Sequence, residues 1–138
     1  MTNRSPTPET GPRALASSIV LPFSKAVAAL TKEEEKHSAG FDGVITNAYL
    51  HFPPGPNTLV DVRIVVEGRG GERYVVPSLA DRFIALDNVT LPVNDINFPV
   101  EATDTIRVEW WNYDGANPHR GPVEVMVARV AKPERGRS

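Results

Sequence analysis

Three histidines, His37, His51 and His119, are the residues best suited to metal binding or proton transfer, and their spacing argues against both. They stand far apart, in different sequence surroundings. No two of them have the i, i+4 spacing of a helical metal site, and the chain has no cysteine to complete one. Glu33 and His37 are four residues apart and would share a face only on a helix. Within the run Glu33-Glu34-Glu35 they read first as a solvated charged face. No Gly-x-Ser-x-Gly elbow is present, so no Ser/His/Asp triad is assigned. Gly68-Arg69-Gly70-Gly71 lacks both the spacing and the following helix of a phosphate loop. Asp87, Asn88, Asn94, Asp95 and Asp104 offer oxygens that Ca²⁺ could use. Without EF-hand spacing they read as ordinary turn residues. The expectation is a protein that is not an enzyme and needs no cofactor or metal.

The most informative chemistry is aromatic. In Trp110-Trp111-Asn112-Tyr113-Asp114, strand alternation sends Trp110 inward with Ile106 and Val108 and leaves Trp111 and Tyr113 on the opposite side. On a solvent-facing side two rings two residues apart make a stacking platform of the kind a sugar uses. Under a second subunit they become interface anchors. If both faces of the strand are buried, they are core. Trp111, Asn112 and Tyr113 are therefore the candidate interface or ligand platform.

The elements that must hold this stretch show a period of two. Val44 to Phe52 places Val44, Thr46, Ala48, Leu50 and Phe52 on one face, with Asn47 and His51 on the other. Leu59 to Glu67 sets Val60, Val62, Ile64 and Val66 against Asp61, Arg63 and Glu67. From Thr105 onward Ile106, Val108 and Trp110 alternate with Arg107, Glu109 and Trp111. These are half-buried strands. Val123 to Val130 is Val-rich and is predicted as a strand buried on both faces. Shorter strands are predicted at Ile19–Ala28, Arg73–Val76, Phe83–Leu86, Val89–Val93 and Ile96–Val100. Pro53-Pro54-Gly55-Pro56-Asn57 forbids regular structure, Gly68 to Gly71 suits a hairpin, and Gly115 to Pro122 makes a loop. Ser24 to His37 is ambiguous. Thr31 with Glu34 fits a capping box, so a strand to about Leu30 and then a short helical turn is expected, with one helix from Ser24 to Lys36 as the alternative. The fold class is all-β, an antiparallel two-sheet sandwich of jelly-roll type with at most one short helix.

With 41% hydrophobic and 23% charged residues, the 138-residue chain can bury the core of one domain, which excludes wholesale disorder. Thirteen scattered prolines fit many short elements joined by turns. The net charge of −2 conceals +1 on residues 1–13 and +3 on residues 129–138, leaving −6 on the body. Residues 1–16 are assigned to a flexible arm, 17–131 to the sandwich and 132–138 to a flexible basic tail. Charged ends keep tails solvated, or they meet an acidic partner. Arg4 and Arg13 are the candidate arm contacts, and Lys132, Arg135 and Arg137 those of the tail. The net charge gives no global pull toward nucleic acid or an anionic membrane. No apolar run approaches the roughly 20 residues needed to span a bilayer, and Met1 to Arg13 has no apolar h-region, so synthesis in the cytosol without export is expected. The sequons at Asn3 and Asn88 are then chance matches.

The ordering Gly43-Val44-Ile45, Phe52-Pro53-Pro54-Gly55, Leu59-Val60-Asp61-Val62 and Trp111-Asn112-Tyr113-Asp114 with Pro118-His119 resembles small jelly-roll head decoration (auxiliary capsid) proteins of tailed phages. It covers roughly residues 37–130 and contains no catalytic motif, so no functional residue is carried over. The resemblance implies a virion protein made in the host cytoplasm and seated on the capsid surface. It implies a homo-oligomer, a trimer, that cements neighbouring capsomers of the major capsid protein with an arm reaching a neighbour. A carbohydrate-binding or receptor-binding module is the alternative from another class. A small enzyme on a cupin-like barrel ranks below both, for want of clustered ligands.

Removal of residues 1–13 is expected to leave the thermal midpoint almost unchanged and to weaken capsid attachment, measured by melting and co-sedimentation. Equal attachment by the shortened chain would reduce the arm to a solvated tail.

Overall fold

The alternating segments form strands because each can turn one apolar face inward while its backbone pairs on both sides. The computed structural model describes residues 15–55, 58–79 and 82–130. In chain order the strands are β1 (Leu15–Phe23), β2 (Ala26–Val27), β3 (Lys32–Ser38), β4 (Gly43–Phe52), β5 (Val60–Gly68), β6 (Gly71–Val76), β7 (Val89–Val93), β8 (Phe98–Val100), β9 (Thr105–Asn112), β10 (His119–Arg120) and β11 (Val123–Val130). One sheet runs β1-β11-β4-β7, with β8 also on β4, and the other runs β3-β9-β5-β6. All pairs are antiparallel. Counting only the main strands (β1, β3, β4, β5, β6, β7, β9 and β11), the sheets read 1-8-3-6 and 2-7-4-5, the jelly-roll order. The expected all-β sandwich is the observed fold. β1 begins at Leu15, two residues inside the segment assigned to the arm.

The core lies between the sheets. Ile45, Leu50, Val125 and Val127 face Val62, Ile64, Ile106, Val108 and Trp110, with Phe23 and Val27 closing one side. Trp110 is fully buried and its Nε1–H donates to the Gly121 carbonyl at 2.6 Å.

Four details differ from the sequence reading. No helix occurs among the described residues: Lys32–Ser38 is a strand paired along its length with β9. The Thr31 hydroxyl donates to the Ala28 carbonyl at 2.8 Å, so it closes a turn and does not cap a helix. On β4 the register against β11 slips at Thr46, between the pairs Asn47↔Met126 and Ile45↔Val127. This bulge reverses the facing of everything before it, so Ile45 is buried where Val44 and Thr46 were expected. Phe83–Leu86 shrinks to one bridge, Ile84↔Val62. β11 buries Val123, Val125 and Val127 on one face but leaves Glu124 and Met126 half-buried on the other.

Two substitutions test this packing. Trp110→Ala should cost about 3–5 kcal/mol, as large aromatic truncations in cores do. A Cβ on Gly43 would stand 2.4 Å from the Ala128 carbonyl oxygen. Backbone meets backbone there, so Gly43→Ala should cost about 1–3 kcal/mol. Urea denaturation reads both.

Candidate functional site

The three aromatic-stretch residues separate. Asn112 continues the inward face of β9 and is buried. Its side-chain amide donates to the Val27 and Asn117 carbonyls at 3.0 and 2.9 Å, and its Oδ1 accepts from the Asp114 N–H at 2.9 Å. It pins a loop and is not part of a platform. Trp111 is half-buried on the outer face of the second sheet. Tyr113, 54% exposed, lies 6.3 Å from it with the ring planes 14° apart. The pair is at the surface, so the third sequence reading, that these rings are core, does not hold.

What surrounds the pair comes from strand register. Lys32 and Asp61 flank Trp111 across β3 and β5. The Lys32 ammonium sits 5.2 Å from the Trp111 ring centre, a cation–π contact. Burial pushes the Asp61 carboxyl up. The Trp111 Nε1–H is sealed from solvent with no acceptor among the described residues. One step further along, the Tyr113 N–H donates to the Leu59 carbonyl at 2.8 Å and the Asn112 N–H to the Thr31 carbonyl. Leu59 and Leu30 thus lie at the strand ends on either side of Tyr113. They are 39% and 68% exposed. Leu59, Tyr113 and, in the turn before β3, Leu30 set exposed apolar residues at neighbouring strand ends beside Trp111, here termed the apolar row. The sequence reading missed both leucines and Lys32, because nothing local places the leucines beside Tyr113 or Lys32 beside Trp111.

The loop after Tyr113 is held by Asp114. Its Oδ1 accepts from the Ala116 and Asn117 N–H groups at 2.8 and 3.3 Å, and its Oδ2 lies 2.8 Å from His119 Nε2. The hydrogen bond from the Ala116 backbone and the one with His119 hold the carboxyl down to about 2. Spacing alone did not suggest this pair, which the loop closes.

The remaining candidates do not converge. His37 bonds Glu35 at 2.8 Å, and His51 bonds Thr90 and Glu124 at 3.0 and 3.2 Å. Asn94 bonds Asn47, Asp87 accepts from the Gly55 N–H, and Asp104 pairs with Arg73 at 2.8 Å. Among the described residues no group of three or more His, Asp or Glu could hold a metal. No helix of the described residues is long and apolar enough to cross a membrane. Arg4, Arg13, Lys132, Arg135 and Arg137 lie outside the described residues.

No protein-family model matches the chain, and no curated protein matches its sequence. Among solved structures it is similar to the crystal structure of FLHE, at 17% identity and a TM-score of 0.42, over 83% of this chain and 99% of that one. It is also similar to the structure of the infectious bursal disease virus Gx strain, at 15% identity and a TM-score of 0.42, over 96% of this chain and 39% of that one. Neither says what this chain is or what it binds.

The depressed Asp114 carboxyl gives an acid-side dependence. Its folded value of about 2 lies below the ordinary 3.8. The stabilisation is therefore full above roughly pH 4 and is lost as pH falls through 2. The Asp114 carboxyl should titrate near 2 by NMR, and in His119→Ala its midpoint should rise toward the ordinary value. Asp114→Asn should flatten the loss of stability between pH 4 and 2.

Proposed function

We propose that this chain is a non-enzymatic structural protein of a virus particle. On this reading it is a decoration protein on the capsid surface that associates with copies of itself and with the major capsid protein. The observation that carries the reading is the exposed row Leu30–Tyr113–Leu59 backed by Trp111. An aromatic pair with exposed leucines at the adjoining strand ends suits a protein-contact centre, where rings supply area at small conformational cost. A glycan platform would surround its rings with hydrogen-bonding side chains, to take up hydroxyls. Here Lys32 and Asp61 flank Trp111, but the Lys32 ammonium is committed to the ring and to Glu109, and the strand ends beside Tyr113 carry Leu30 and Leu59. The jelly-roll order and the phage-like turn pattern support the same reading, and the three-fold association that the resemblance implies would use this row. Sugar or receptor binding through Trp111 and Tyr113 stays as the second reading, favoured by their near-parallel rings.

Trp111→Ala and Tyr113→Ala should stay folded, in contrast to Trp110→Ala, while association or capsid attachment weakens by about 2 kcal/mol or more. Melting, light scattering and co-sedimentation with shells of the cognate major capsid protein give the three readouts. Loss of polysaccharide binding with unchanged mass and attachment would favour the second reading.

A further inference from the structure

Every open sheet needs its edges guarded, and here three of the four edges of the sandwich are. β3 carries Lys32, Glu33, Glu34, Glu35 and Lys36, and β6 carries Glu72 and Arg73. β7 has five residues and contains Pro92, and its neighbour along β4, β8, has three and contains Pro99. Charge, shortness and proline are the usual means by which an edge refuses a further strand. β1 is different. It is nine residues long without a charged residue, its one proline, Pro22, stands next to its end, and it pairs with β11 on one side only. Residues 17–20 are exposed, with Ile19 at 39% and Val20 at 49%, and of residues 17–23 only Leu21 and Phe23 reach the core.

The free edge can be read residue by residue. The His51 N–H donates to the Pro122 carbonyl at 2.9 Å, so alternation turns the Tyr49 and Glu124 peptide groups toward each other. Glu124 also faces Pro22 on β1, so that pair is unbonded, the position where a missing N–H costs nothing. Ser18 and Val20 have the same parity as Pro22. Their N–H and C=O groups point away from β11, along the open edge.

We propose that β1 pairs antiparallel with β1 of a second copy, centred on Ile19. Ser18 of each chain would then exchange hydrogen bonds with Val20 of the other. The Ile19 side chains would meet across the two-fold axis in the closer, unbonded type of pair. The result joins two β1-β11-β4-β7 sheets into one. Charge selects this occupant. A second copy offers four edges: β3 and β6 would bury charges against an uncharged strand, and β7 presents Pro92 on its free side. β1 against β1 buries no charge and leaves Pro22 outside the Ser18–Val20 bonds, and being isologous it closes as a dimer, where β1 on another edge would build a ring or an open chain. The inference does not depend on a capsid and concerns the free protein.

The test uses the full chain. In light scattering it should show at least twice the 15.1 kDa chain mass, and Val20→Pro should lower that mass while leaving the melting midpoint nearly unchanged. The proline removes only an outward N–H, whereas Ile19→Lys tests the same contact without altering the backbone. Because the chain has no cysteine, Ile19→Cys reports the register directly. The expected Cα separation of about 4.5 Å across an unbonded pair lies within disulfide range. Oxidation should therefore yield crosslinked dimer at least tenfold faster than in the exposed control Leu79→Cys. A monomeric full chain would overturn the proposal, even if removing residues 1–13 released a dimer, since the edge would then belong to the chain's own N-terminal segment. Association unchanged by both Val20→Pro and Ile19→Lys would overturn it too. Equal crosslinking at residues 19 and 79 would overturn the register.

Discussion

From Ile106 to Trp110 β9 is buried on both faces, and the rest of the domain is arranged around that constraint. Inward it gives Ile106, Val108 and Trp110 to the core; outward it gives Arg107 and Glu109, whose side chains are only 6% and 2% exposed. Charges withdrawn from water this far are tolerable only when each is met by a partner in good geometry. Arg107 bonds Glu109 at 2.7 Å from Nε, Glu72 at 2.7 Å from Nη2, and Glu67 as well. Glu109 also accepts from Arg63 Nε at 3.0 Å and has the Lys32 ammonium at 3.8 Å. The hydrogen bonds from Arg107 and then from the Tyr74 hydroxyl hold the Glu72 carboxyl below its ordinary value. The cluster takes a member from each of β3, β9, β5 and β6. A one-residue slip of any of them would bring a charge to the core and strand its partner. Val65 is fully buried on this same face, opposite Arg107 in the ladder, so the charged side chains also act as a cover.

That arrangement explains where the surface is left open. The charge cluster seals the middle of the second sheet, and beyond it, at the strand ends, β9 gives Trp111 and Tyr113 to the outside next to Leu30 and Leu59. Asn112 and Asp114 then fix the loop that follows, through the Val27, Asn117 and Ala116 backbone groups. The apolar row thus sits on a braced end of the sandwich. This suits a contact surface, because little ordering entropy remains to be lost on binding.

The jelly-roll order has a second consequence. It puts the first strand of the chain at the rim of its sheet, paired to the last strand and to nothing beyond. The two sheets do not overlap there fully: Phe23 packs edge-on to His37 of β3, 4.6 Å between ring centres, while Ile19 has no such cover. Exposed apolar residues therefore stand both at the strand ends and along this edge.

Much of this was legible in the residues themselves. The period of two in Val60–Val66 and Ile106–Trp110 fixes which side faces the core, because side-chain direction along a strand is local. Proline and glycine clusters marked the turns for the same reason, and Trp110 and Trp111 could be told apart by parity alone. The sequence was silent, or misleading, wherever a partner strand decides. Lys32–Ser38 has no apolar alternation and reads as a helix start, yet the ladder with β9 makes it a strand. One bulge at Thr46 exchanged Val44 for Ile45 in the core, and no local signal marks a bulge that only the opposing register of β11 creates. Leu30, Leu59 and Lys32 belong to the site through cross-strand neighbours far away in sequence, and Asn112 leaves it because its amide holds the end of β2 and the loop 114–117. Composition and parity determined the class of fold and the faces of its strands. Only the tertiary pairing decided which surfaces remain unsatisfied, since an edge or an apolar end is defined by what fails to cover it.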